Sequence, residues 1–581
     1  MTSSGESRFV VAAILVAFLG GCSSAPVTTG PGPGRFVKNP CSPTATVQLG
    51  VAQGTVLDCS GGGTTVTLAG NGASYLIVPQ FPTNQVANQP VSYTLATGNL
   101  EAAAASSQRV AAMRAARGTL QQGASGTIPP LRPRAAQLSF ERGIFSRPRT
   151  GAILPAPLRR AALSTPPTLG STQTFHVLSN FTSNTFSTVT AQLAFIGTNV
   201  LLYIDQAAPS DGFTPDQLTA FGQLFDQTLY GIDIAAFGQP SDVDGNGHVI
   251  MLMSPAVNAD TPASQCATQG FVVGFFDPED FTNDVNSNHG EIFYSIVPDS
   301  SGIVSCAHSV ANVGLDIPAT FLHELQHLIN YSQHVVVNHG NPLSSWLDEG
   351  MSIAAEELGS RYYEDKCPTP ACRTNPAQIF PDSSQGFANG FLYDSYQFAL
   401  LPDTASLTLH NDSEDGFSWR GGDWALVRYL SDRFGSGFFQ ALEQGPSDGL
   451  AAIAAASGRP FPSVFADFST ALYTDSFPGL PRATAPAVDR FVTRDLRQLW
   501  ARLFTTGGPS ATFPLVMPLQ LFAITTDTTT FVINPGTMSY WRLDTGATDS
   551  TVSIRFSTPG GNPFSAALHP QLAIFRLPPG Q

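Results

Sequence analysis

Near the middle of the chain, the stretch "ATFLHELQHLINYSQH" (residues 319–334) places His323, Glu324 and His327 in the pattern H-E-x-x-H. The apolar residues around them recur at helical spacing, with Asp316 as the expected cap and Pro318 in the first turn, so the two histidines fall on one helix face. Two imidazoles four residues apart can reach one metal ion. A carboxylate beside them can orient a water and take its proton without ligating the ion. The chemistry implied is metal-assisted hydrolysis, with Glu324 as general base; the plainer alternative is a helix whose histidines only pack.

A catalytic zinc takes three protein ligands and keeps one position open. One pattern for the third ligand asks for Gly three residues after the second His and another His three further on. Those positions hold Asn330 and Gln333, and His334 misses by one residue, a rotation of about 100° around a helix. The other pattern asks for a glutamate on a following helix, and "SSWLDEGMSIAAEE" (residues 344–357) supplies it. Ser345 with Asp348 reads as a capping box opening that helix, which makes Asp348 a cap. Gly350 costs about 1 kcal/mol against Ala inside a helix, which makes sense if the two helices cross closely at the metal. Glu356 lies on the face of Glu349 and can support a ligand histidine; the alternative is a solvated acidic edge made with Glu357.

"WLDEGMS" (residues 346–352) resembles the W-L-N-E-G signature of gluzincin metallopeptidases. Together with "FLHELQHLINYSQ", "SDVDGNGHVIMLMSPAVN", "SNHGEIFY" and "RYLSDRFG", it makes the chain similar to the hyicolysin family of secreted zinc metallopeptidases over roughly residues 170 to 475. The resemblance implies an α+β fold with a mixed α/β lobe and a helical lobe, and zinc held by His323, His327 and Glu349. It also implies that "SNHGEIFY" is an edge strand taking extended peptide by strand addition, the plainer alternative being a simple core strand. In related gluzincins a Tyr stands ahead of the helix that here reads "GDWALVRYL", whereas this chain has Trp419 and Arg420. The donor to a tetrahedral oxyanion therefore stays open among Arg420, Tyr393, Tyr396 and His410.

"DVDGNG" sets Asp242, Asp244 and Asn246 at alternate positions, as in the first half of an EF-hand-type calcium loop. Met253 stands where such a loop needs its twelfth-position acid, so a tight polar turn is favoured over Ca2+.

Hydrophobic residues make up 42% of 581 residues, enough for several cored domains, and the net charge of -15 argues against nucleic acid as a partner. An apolar run over residues 9–19 precedes "LGGC", which resembles a bacterial lipobox with Cys22 as the acylated mature N-terminus. Seven cysteines leave one over; with Cys22 lipidated, the others pair as Cys41 with Cys59, Cys266 with Cys306, and Cys367 with Cys372. Residues 1–22 then read as a lipoprotein signal peptide, 23–36 as a flexible tether and 37–100 as a small β domain. Residues 101–165 read as an Ala/Arg/Pro-rich linker or pro-segment, 166–506 as the peptidase domain and 507–581 as a terminal β-sandwich. The expectation is a lipid-anchored zinc endopeptidase of the cell envelope, facing the periplasm or exterior and acting on proteins or peptides. An aminopeptidase of related fold lacks its G-x-M-E-N-like stretch here, and the rival of another class is an inactive surface-binding lipoprotein.

Overall fold

Short apolar alternations at both ends of the chain become strands, and a longer run of helical periodicity between them becomes a bundle. The computed structural model describes residues 38–84, 89–97, 151–155, 167–269, 271–365, 387–410, 416–503, 522–524 and 529–579. The first group of strands is β1 (Lys38–Pro40), β2 (Thr44–Val47), β3 (Gly54–Asp58), β4 (Thr64–Ala69), β5 (Ser74–Gln80) and β6 (Val91–Thr97). A central group follows: β7 (Thr172–Asn180), β8 (Thr185–Ile196), β9 (Val200–Asp205), β10 (Val249–Met253), β11 (Gly274–Phe276) and β12 (Ile292–Ser295). Near the C-terminus come β13 (Phe522–Ala523), β14 (Thr529–Ile533), β15 (Trp541–Asp544), β16 (Thr551–Ser557) and β17 (Gln571–Arg576).

The central sheet has the order β11-β12-β10-β9-β8-β7, with β9, β10 and β12 parallel. Its connection from β9 to β10 contains α1 (Pro215–Leu224), opened by a reciprocal Thr214–Gln217 capping box, then a π-helical turn and α2 (Tyr230–Phe237). The segment "SNHGEIFY" does not form the edge strand expected of it. Its strand β12 lies between β10 and β11, because the three residues Gly274–Phe276 pair outside it, and β11 is the edge.

The helical part contains α3 (Val310–Tyr331), α4 (Ser345–Asp365), α5 (Ala388–Leu400), α6 (Gly416–Phe434), α7 (Phe438–Glu443) and α8 (Phe461–Thr474). Helix α3 starts earlier than Asp316 suggests: Ser309 caps it by accepting from the Asn312 amide, and Pro318 sits in its interior. Glycines set the helix spacing. A Cβ on Gly350 of α4 would lie 2.9 Å from the Asp423 carbonyl oxygen of α6, and one on Gly359 would lie 2.6 Å from Leu322 of α3. Gly350 thus brings α4 close to α6 and not, as expected, to the helix of the H-E-x-x-H motif.

The β segments read as separate N- and C-terminal domains pair strand by strand. One sheet runs β1-β3-β17-β5-β15-β13 and the other β14-β6-β16-β4-β2, so β17 lies between β3 and β5, and β16 between β4 and β6. The period of two explains the packing. Leu57, Ile77 and Ile574 point into the sandwich core, while Val56, Val78 and Phe575 belong to the main core shared with the helices. The outward face of the first sheet docks on α8, where Ser469 donates to Gln80 and Tyr540 donates to the Ser469 carbonyl. Both sheets need residues from both chain ends, so neither end is a domain by itself.

Disulfides join Cys41 to Cys59 and Cys266 to Cys306, the latter tying the segment before α3 to the preceding lobe. Cys22, Cys367 and Cys372 lie outside the described residues, as do the signal segment, the tether and nearly all of residues 101–165. Among the described residues no helix is long and apolar enough to cross a membrane.

Candidate metal centre

Helix α3 presents His323 and His327 one turn apart, and α4 brings Glu349 over them. One donor atom from each of the three lies within 4.8 Å of the others. The two Nε2 atoms face each other at 3.1 Å, and the Glu349 carboxylate is 3.7 Å from that of His323 and 3.6 Å from that of His327. All three side chains are buried.

The far nitrogen of each ring explains why both Nε2 atoms turn inward. Nδ1 of His323 donates to Glu356 (2.8 Å), and Nδ1 of His327 donates to Asp348 (2.7 Å). Such pairing fixes the tautomer with the proton on Nδ1, leaving each Nε2 lone pair for an ion. Burial disfavours a charge on His327, yet Asp348, Glu349 and Glu324 outweigh it and raise its pKa to about 10. The pocket therefore favours positive charge. Two inward imidazoles and one carboxylate form a nitrogen and oxygen set suited to zinc, so the residues fit the ion.

Glu324 is buried on the same helix, and its Cγ would stand 3.7 Å from a Cβ at Gly274, which places it between α3 and the edge strand β11. His334 turns away to the Leu442 carbonyl at 3.0 Å, within the π-helical turn that continues α3. Arg420 of α6 lies against the donors, with Nη2 3.2 Å from Glu349 Oε2. His410 instead pairs with Asp423 at 3.0 Å and stacks on Trp419. Tyr396 is buried in α5, where burial pushes its hydroxyl pKa up, and the Tyr393 side chain lies outside the described residues.

Two expectations about the acidic residues of α4 change. Asp348 does not cap the helix, because the Ser344 carbonyl accepts its first amide bonds and the Asp348 carboxylate is spent on His327. Glu356 and Glu357 form no solvated edge: Glu356 supports His323, and Glu357 is fully buried between Arg428 and Arg494.

A second group of carboxylates joins Asp242, Asp244 and Glu291, again within 4.8 Å, ahead of β10 and β12. The Asn246 side chain bonds Asp244, and its carbonyl oxygen meets the His248 ring. Glu291 also accepts from the Ser241 hydroxyl and the Val243 amide, and burial pushes it up to about 7. Sequence reasoning missed Glu291 because it lies 45 or more positions downstream of the loop it joins, a separation no local motif records.

The geometry defines a donor set suited to a metal ion. In agreement, the chain is similar to the neutral metalloprotease ShpI of Staphylococcus hyicus, with 27% identity over 247 residues. The match covers 42% of this chain and 53% of that protein, so the chain spans about half the length of this relative. No family model matches.

Proposed function

We propose that the chain is an extracytoplasmic zinc endopeptidase of hyicolysin type that hydrolyses internal peptide bonds of proteins. The observation that carries this reading is the inward-facing donor set of His323, His327 and Glu349, with Glu324 beside it against edge strand β11. A zinc ion there would supply Lewis acidity to a water and to the scissile carbonyl. Edge strand β11 offers backbone groups to an extended substrate, and its proximity to Glu324 sets the base near a peptide bound that way. Glu324 takes the proton of the attacking water and passes it to the leaving amine.

The roles assigned to the two glutamates predict different failures. Glu324→Ala should retain about one zinc per chain yet lose roughly 10² to 10⁴ in rate. Glu349→Ala should lose zinc and activity together. Metal analysis with digestion of an unfolded protein decides between this reading and an inactive binding protein: wild type that binds no zinc, or binds it and leaves the substrate uncut, supports the latter. Cleavage inside amino-blocked peptides separates it from an aminopeptidase.

The lipobox and the cysteine parity support anchoring through Cys22 in a bacterial envelope. Cys22→Ser should move the protein from the membrane to the soluble fraction, and intact mass of membrane-extracted wild type lacking acyl groups would refute the anchor.

A further inference from the structure

We infer that Arg420 is the electrophilic partner of this site, donating hydrogen bonds to the substrate carbonyl oxygen as it becomes an oxyanion; the inference rests on the peptidase reading. Nη2 of Arg420 is 3.2 Å from Glu349 Oε2 and 3.5 Å from His323 Nε2, so its guanidinium borders the inward-facing atoms of two of the three donors. Glu324 approaches from the α3 and β11 side, and Arg420 comes from α6. The site thus has a base from one element and a fixed cation from another.

The position of that cation is set by backbone packing. A Cβ on Gly421, the next residue, would lie 2.0 Å from the Asp394 carbonyl of α5, and one on Gly422 would lie 2.4 Å from Leu407. With Gly350 admitting the Asp423 carbonyl on the α4 side, α6 is held between two neighbouring helices directly at Arg420. Little reorganisation is then needed when charge develops, which is the condition under which an oxyanion donor is most effective. Guanidinium stays protonated across the working range and presents its donors as a planar fork, so the same group can face both the Glu349 carboxylate and a second oxygen. Asp423, three residues further along α6, is buried and paired with His410.

In the reaction, the water oxygen bonds to the carbonyl carbon while Glu324 takes its proton. The carbonyl π pair moves onto the oxygen that Arg420 faces. Collapse restores the carbonyl and breaks the C–N bond, and the proton returns from Glu324 to the amine.

A purely structural arginine would serve Glu349 alone, and three measurements on the zinc-loaded protein separate the roles. Arg420→Ala should keep its zinc, lose about 10² to 10³ in kcat with little change in KM, and bind a phosphonamidate peptide about 10²-fold more weakly. A thiol peptide that grips zinc without presenting an oxyanion should bind Arg420→Ala as it binds wild type. Arg420→Lys keeps the charge and should recover part of the lost rate and phosphonamidate affinity; it carries the test if the alanine variant does not fold. Zinc loss parallel to activity loss, unchanged kcat, or equal weakening of both inhibitors overturns the role of Arg420. Wild type that cleaves no peptide overturns the underlying reading instead.

Discussion

The proton on Nδ1 of His327 decides which nitrogen of that ring can meet an ion, and Asp348 holds it. Asp348→Asn keeps the shape but removes the charge, so zinc affinity should fall about 10- to 100-fold in competition against a chelating dye. Glu356→Gln should cost less, since Glu356 is 15% exposed where Asp348 is fully buried. The grouping of His323, His327 and Glu349 was legible, because H-E-x-x-H sets two histidines on one helix face and "WLDEG" adds a glutamate at a fixed place. Asp348 was not, since an S-x-x-D stretch is also a good helix start. In the structure Ser344 pairs with Asp448 and its carbonyl takes the first amides of the helix, while the Asp348 carboxylate meets His327. His334 bonds to Leu442, on a helix more than 100 residues away, and that contact left no local trace in the sequence.

Among elements, α4 is fastened to its neighbours through Glu357. It accepts from Arg428 of α6 at 2.8 Å and from Arg494 at 2.7 Å, and Arg494 also holds Glu364 near the end of α4. Burial alone would raise the Glu357 pKa, but the two arginines overcome it and bring it to about 2, below its ordinary 4.5. A carboxylate depressed on folding stabilises above its unfolded pKa and loses that contribution as pH falls through its folded pKa. The melting temperature should therefore drop from about pH 4.5 toward 2, and Glu357→Gln should blunt that dependence while costing roughly 3 to 5 kcal/mol near neutrality. An acid melting series on both proteins checks this. Periodicity located α3, α4, α6 and α8, but it underestimated where α3 begins, since a proline signals a first turn more often than a helix interior. It also assigned Gly350 to the wrong neighbour, because a glycine announces a close approach without naming what approaches.

For the whole molecule, two separate β domains became one sandwich. Strand periodicity was visible at both ends, but period two says nothing of which strand pairs with which, and Gln80 meets Gln571 across 491 positions. Deleting residues 507–581, the segment that read as a removable domain, takes β13 to β17 and should leave a poorly soluble protein without a cooperative melt. A soluble fragment melting like the full chain by circular dichroism would contradict the shared core.

The insertion of β17 between β3 and β5 also sets a timetable. Synthesis runs from the N-terminus, so β3 and β5 emerge early, yet the strand that joins them begins only at Gln571, 491 positions after Gln80. Every nascent chain carries two unsatisfied strand edges until β17 arrives, a state prone to pairing with other chains. A chain stalled before that point is left with an incomplete first sheet against α8, however well its catalytic helices have formed. Closure of the sandwich thus works as a proofreading step, since only a chain synthesised through Arg576 can complete its core.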